Sequence, residues 1–511
     1  MRWTRYAAAL LVLPLLLVGA PAVADSKGGD TDRTLHRWAK DTWKSFVAMV
    51  DPATGLPADN IGGDLSAASR SEYTSPTNVG GYLWSAVVAR DLGIIGKKET
   101  ERRIDQTLDT LATLEHHTAS GMFYNWYDPH TGALLHEWPE TGDPVYPFLS
   151  SVDNGWLAAS FMVVRNAVPG KVGRKAQALL EKMDFGLYYN ANPTGHHNVG
   201  GGLLRGGAYA AEPPNQCVEK GTYEGADIYR TCFNYDTFNT EPRIATYIGI
   251  SQGQMPPVAY FGPNRTFPSN CDWGWVEQKP VGGNATYLGV SVYEGAYRYR
   301  GLQFVPTWGG DMFEALMPAM FVPEEKWGPK SWGLNHPIYV QGQIEHGLAE
   351  AKYGYWGFSP ASDPFGGYSV YGVEEMGMDP GGYPSDREKT DVDRGFEGCR
   401  EAKPFPTFGD GVVTPHASFL SLPYAPRQAV DNLRMLERNL DAYGPGGFYD
   451  SIAVRSNTPA KRYLALDQAM VLGPIGNELL NDRVRKYFSK GEVERHLRPV
   501  MSLERFNAKW R

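Results

Sequence analysis

Five segments place carboxylates, amides and aromatic rings where a loop runs into an apolar helix, so that a side chain there is both held by the scaffold and open to a ligand. Tyr73-Thr-Ser-Pro-Thr-Asn-Val-Gly80 offers Ser75 or Thr77 as a helix cap and leaves the Asn78 amide for a ligand. Gly121 to Gly132 is a glycine-bounded turn in which Tyr124, Asn125 and Trp126 can line a sugar subsite. Ser150-Ser-Val-Asp-Asn-Gly-Trp156 leads into a helix. Asp153 there either caps that helix or takes hydroxyl protons as a binder or base, with Trp156 one turn on. Asn239-Thr-Glu-Pro-Arg243 opens another helix, with Pro242 suited to its first turn. In Tyr463 to Met470, Asp467-Gln468 interrupts an apolar run, which means a paired buried carboxylate or one lining a cavity.

Paired carboxylates are what glycoside hydrolysis needs. One protonates the leaving oxygen and the other activates water or attacks. Residue physics alone argues against Glu241 as the acid. The helix N-terminus and Arg243 beside it both favour the anion, so Glu241 reads as a cap.

These side chains need a frame. The apolar period predicts about a dozen helices, among them 35–50, 78–95, 99–117, 149–166, 171–185 and 242–252 in the first half. Spans 311–321, 337–352, 415–422, 426–442, 463–480 and 481–489 follow in the second half. Strand signals are local, at 287–293 and 447–454. The expectation is all-α: helical hairpins arranged as a toroid, with long aromatic loops forming a cleft at one rim.

Composition agrees with a carbohydrate-binding cleft. Aromatic residues make up 13% of the 511, much of it in Gly/Pro-rich stretches; Trp308 and Trp356 join Trp126 and Trp156 as candidate sugar platforms. Arg2, Arg5, an apolar run from Ala7 to Val18 and Ala22-Val-Ala24 read as a signal peptide over 1–24, which implies a secreted or periplasmic protein. Residues 25–511 then form a single domain, with no linker inside it and no membrane partner. Loss of Arg2 and Arg5 takes the formal charge from −8 to −10, which disfavours nucleic acid. Four cysteines in an exported chain suggest two disulfides, most naturally Cys217 with Cys232 and Cys271 with Cys399. No spacing resembles a zinc or calcium loop, so no cofactor or metal is expected.

The motifs YTSPTNVGGYL, GMFYNWYDPHTG, SSVDNGWLAASFMVVR, NTEPRIATYIGIS and YLALDQAM, in that order, resemble the glucoamylase-like family that contains bacterial endo-β-1,2-glucanases. VVTPHASFLSLPYAP and GPGGFYDS fit as well, so the resemblance covers most of residues 70–480. It implies an (α/α)6 barrel of six helical hairpins and an inverting, cofactor-free hydrolase of a polysaccharide or oligosaccharide, with β-1,2-glucan the first substrate to test. By position, Glu241 corresponds to the general acid, against the residue-level reading. Asp153 and Asp467 correspond to essential carboxylates, one of them the base; Asn78, Tyr124, Trp126, Trp156, Arg243, Trp308, Trp356 and Gln468 are candidate substrate contacts. The Cys217–Cys232 segment and residues 357–400 depart from the pattern and leave two alternatives open: another envelope glycan such as an arabinan, or a non-catalytic glycan-binding protein. Oligomeric state is not legible.

Overall fold

A helix that buries one face carries an amphipathic period, whereas a helix enclosed on all sides is apolar all round. Both kinds occur in the computed structural model, which describes residues 26–510 apart from 196, 269 and 272–275. Residues 1–24, read above as a signal peptide, lie outside the described residues. The first half contributes α1 (Ser26–Met49), α2 (Pro76–Asp91), α3 (Lys97–Leu111), α4 (Ser151–Ala167), α5 (Lys171–Leu180) and α6 (Arg243–Ser251). The second contributes α7 (Met312–Leu316), α8 (Glu324–Trp327), α9 (Trp332–Glu345), α10 (Pro415–Leu420), α11 (Pro426–Asn439), α12 (Ala465–Leu479), α13 (Arg483–Phe488) and α14 (Glu492–Met501).

In α2 only Arg90 and Asp91 escape burial, and α6 and α10 are buried throughout. These are inner helices. By contrast α3 buries Thr100, Ile104, Thr107, Leu108 and Leu111, one stripe of an outer helix. Contacts among the inner set pass from α12 to α2, from α2 to α4 and from α4 to α6, while α10 packs against both α7 and α12. Arg243 links α6 to α7 by donating to the Glu314 and Ala315 carbonyls at 2.8 and 2.7 Å. The result is the helical toroid expected from the sequence. Small residues let neighbouring inner helices approach closely: a Cβ on Gly80 would lie 2.9 Å from the Trp156 carbonyl oxygen. One continuous apolar core runs from Leu35 to Ala508.

The strands are more extensive than the local signals predicted. The predicted strand 287–293 is strand at Tyr287 and from Val290 on, with a turn at Leu288-Gly289 that joins Val281–Tyr287 to Val290–Tyr299. Leu288 and Gly289 both have positive φ there, the geometry of a tight I′-like hairpin turn. Glu224-Gly225 and Arg300-Gly301 turn the same way. These are X-Gly turns in which the usual Asn or Asp is absent, so the hairpin signal is weak in sequence. Both expected disulfides form. Cys217–Cys232 staples the hairpin of Val218–Tyr223 and Ala226–Thr231, and Cys271–Cys399 ties the long 357–400 segment back to the body.

Candidate active site

The chemistry collects at the N-terminal ends of the inner helices. Asn78 lies in the first turn of α2, Asp153 in that of α4, and Glu241 just before α6. Glu314 is in α7, His416 in α10 and Asp467 in the first turn of α12. Ser75, not Thr77, caps α2, and Ser150, not Asp153, caps α4. This frees Thr77 and Asp153 for each other: the Thr77 hydroxyl donates to Asp153 Oδ1 at 2.6 Å. With its amide turned so that both ends are satisfied, Asn125 donates to Asp153 Oδ2 at 2.9 Å and accepts from Trp126 Nε1. One turn further along α4, Trp156 Nε1 donates to Glu241 Oε2 at 2.8 Å. Asn78 donates its amide to Asp59 at 2.7 Å.

Glu241 is not a cap, because Pro242 occupies that position and no side chain caps α6. Its acid is raised to about 8, chiefly by burial, with the charges of Asp153 and Glu314 adding to the effect. The expectation of a depressed carboxylate fails for a specific reason. Arg243 is neutralised by Glu324, at 2.8 and 3.0 Å, and so contributes little at Glu241. Glu241, Trp308 and Tyr383 line a cavity of about 340 Å³ together with Asn234, Tyr235 and Asp236.

A second cavity, of about 540 Å³, is lined by Asp59, Tyr73, Glu140, Asp363, Tyr368 and Arg462. The Asp467–Asp450 pair lies beside Asp59, whose charge acts on both Asp467 and Asp450; Asp153 in turn acts on Asp59. Burial and the Asp450 charge push Asp467 well above the usual carboxylate range. Tyr368, 61% exposed, sits on the short hairpin of Ala361–Ser362 and Tyr368–Ser369, where its hydroxyl feels Asp467, Asp450, Asp59 and Glu241. Glu241, Asp153 and Asp467 therefore belong to one electrostatically linked group of buried carboxylates, of which Glu241 lines the first cavity.

Three candidate contacts need correction. Arg243 is 4% exposed, and protein acceptors take all five of its N–H donors. Trp356 is 1% exposed, and its backbone bonds Asn432 behind α10. Gln468 is 2% exposed and is held by the Phe448 carbonyl and the Ser45 hydroxyl. None of the three faces a cavity that a sugar could enter. Tyr124 is also largely buried, whereas Trp126 packs edge-on between Tyr73 and Trp138 at the cleft wall. Sequence reasoning missed Asp59, Glu314, Tyr368 and Tyr383. Asp450 was visible only as the end of Gly446-Gly-Phe-Tyr-Asp450.

Residues 282–491 match a family model described as "Putative glucoamylase", and residues 37–186 match one described as a protein of unknown function. The cyclic β-(1,2)-glucan synthase NdvB of Rhizobium meliloti is 22% identical over 621 aligned positions. That match covers 94% of this chain but 19% of the synthase, so the chain spans about a fifth of its curated relative. A Bacteroides caccae protein solved as a putative glucoamylase superposes with TM-score 0.62 at 16% identity, covering 92% of this chain and 99% of that one. The endo-β-1,2-glucanase of Chitinophaga pinensis, solved with sophorotriose and glucose, superposes with TM-score 0.61 at 15% identity, covering 92% and 98%. A mutant endo-β-1,2-glucanase of Talaromyces funiculosus, solved with β-1,2-glucan, gives 0.61 at 10% identity, covering 94% and 92%. The chain thus shares the (α/α)6 fold of the solved glucoamylase-like proteins and endo-β-1,2-glucanases, and its residues 282–491 match the family model described as a putative glucoamylase.

Proposed function

We propose that this protein is an exported glycoside hydrolase that cleaves a β-1,2-linked glucan with inversion, residues 25–511 acting as one catalytic unit. The observation that carries the reading is Glu241: a carboxylic acid still protonated near neutral pH, held by Trp156 and opening into an aromatic-walled cavity. Glu241 gives its proton to the glycosidic oxygen as the C–O bond breaks. A water attacks the anomeric carbon from the opposite face and loses its proton to Asp467. Asp153, fixed by Thr77 and Asn125, keeps Glu241 protonated through its charge and accepts a sugar hydroxyl. Solvent then returns a proton to Glu241 and takes one from Asp467. Export accords with the two disulfides, which persist in oxidising compartments, and with the signal-like residues 1–24.

The test is incubation of purified protein with β-1,2-, β-1,3- and α-1,4-glucans and with a furanoside polymer, following new reducing ends and the product anomer by NMR. Release from β-1,2-glucan as the inverted anomer is expected. Release only from the furanoside polymer moves the substrate, and saturable binding without release removes the enzymatic reading.

Tyr368 is placed to stack on a bound sugar, since an exposed ring over a polar cleft gains by covering an apolar sugar face. Tyr368→Ala is expected to raise KM about tenfold, roughly 1.4 kcal/mol of binding, with a smaller change in kcat. Equal KM for the two proteins in steady-state assays would place the sugar elsewhere.

A further inference from the structure

The proposed mechanism uses Asp467 but not the carboxylate beside it. Asp450 is 1% exposed and ends the turn that follows Gly447–Phe448. Its Oδ2 accepts the Ser362 backbone N–H at 2.6 Å, and Arg462 adds a favourable charge. Asp467 is 4% exposed, and its Oδ2 has no hydrogen-bond donor. The nearest ring nitrogen, Nδ1 of His416, is 3.7 Å away, too far for a hydrogen bond. One nitrogen of His416 and one oxygen from each of the two carboxyls all lie within 4.8 Å of one another.

Two buried carboxyls this close do not both ionise freely; one keeps a proton for the other. The donors decide which. Asp450 receives a backbone N–H and faces Arg462, so it is the anion. Asp467, whose Oδ2 has no donor and whose carboxyl hydrogen-bonds Asp450, keeps the proton and gives it to that bond. His416 cannot supply a compensating charge, because burial drives it down to about 3. A cation is the other way to hold such a group together. However, His416 Nε2 has no hydrogen-bond partner, whereas a metal-bound imidazole is oriented through its second nitrogen. The remaining groups facing the pair are Asp59 from the loop before α2 and the Tyr368 hydroxyl from its hairpin. Asp59 is a further negative charge, and the Tyr368 hydroxyl, itself raised well above 10, stays neutral.

We propose that Asp450 is a positioning residue of this site: the fixed anion against which Asp467 must give up its proton before it can take one from water. The proposal rests on the reading of Asp467 as the base. It makes the acidic limb of the pH–rate profile a property of the pair. The same residue anchors the Tyr368 hairpin, through the Ser362 N–H and through Ser451, whose hydroxyl donates to the Ser362 carbonyl.

The experiment is kcat/KM against pH for the wild type, Asp450→Asn and Asp467→Asn, with thermal melts of each. Asparagine keeps an oxygen for the Ser362 N–H and removes the charge. Asp450→Asn is therefore expected to move the acidic limb at least about one pH unit lower and leave the alkaline limb in place. A uniform loss of rate with no shift of the limb overturns the proposal. An active Asp467→Asn overturns the base assignment and the proposal with it; an inactive Asp467→Asn beside an unshifted Asp450→Asn overturns the proposal alone. Should Asp450→Asn fail to fold, infrared difference spectra of wild type minus Asp467→Asn decide the matter. A protonated-carboxyl band that disappears over the acidic limb of the rate profile is expected, and its absence overturns the proposal.

Discussion

Glu241→Gln is expected to lower kcat by about 10²–10⁴-fold, the usual worth of a positioned general acid, while KM stays close to the wild-type value. Glutamine keeps the oxygen that accepts from Trp156 Nε1 and cannot deliver a proton, so binding survives and proton transfer does not. The wild-type rate is expected to fall on the alkaline side of about pH 8, where Glu241 ionises, and this limb is expected to vanish in the residual activity of the variant. Stability moves the opposite way. A carboxyl whose folded value is raised to about 8 adds stability below its unfolded value of about 4.3, and loses it as pH rises through the folded value. The variant has no such loss. Its melting temperature is therefore expected to overtake that of the wild type between about pH 4.3 and 8. Steady-state kinetics on reducing-end release and calorimetry across that range check both halves. A variant with wild-type kcat removes Glu241 from the reaction.

The frame was more legible than the site. Amphipathic stripes such as Ile104, Leu108 and Leu111 mark outer helices, and unbroken apolar runs mark the inner ones, so the toroid follows from periodicity and length. The short α8 and the C-terminal α14 escaped, α8 because a four-residue helix has no period. At the site, the residues on quoted motifs were found and their state was not. Glu241 was misread because the partner that cancels Arg243 is Glu324, 81 positions away and in no shared pattern. Asp59 and Tyr368 sit in loops without periodicity, and only folding brings them beside Asp450. A carboxylate's protonation is set by what is buried around it, and that is long-range information.

Arg243 carries the sharpest reversal. Its sequence position suggested a substrate contact, yet Arg243→Ala is expected to act on stability and not on KM. The guanidinium makes a bidentate pair with Glu324, donates to the carbonyls of Thr240, Glu314 and Ala315, and lies 4.7 Å from the centre of the Trp332 ring. Glu324 is fully buried and also accepts from Tyr247 and His336. Removing the arginine strands that charge, at a cost of about 3–5 kcal/mol. This is a large part of the roughly 5–15 kcal/mol that holds a domain together. The pair also sets a pH signature. Despite its burial, Glu324 is held down to about 2 by Arg243 and His336. A depressed carboxylate contributes stability above its unfolded value, about 4.3, and loses it as pH falls towards the folded one. The gap in melting temperature between wild type and Arg243→Ala is therefore expected to be widest above about pH 4.3 and to close towards pH 2. Arg243→Met with Glu324→Gln, which removes both charges, is expected to recover much of the loss. Kinetics on the folded fraction should give an unchanged KM. A raised KM with an unchanged melting temperature would return Arg243 to the substrate.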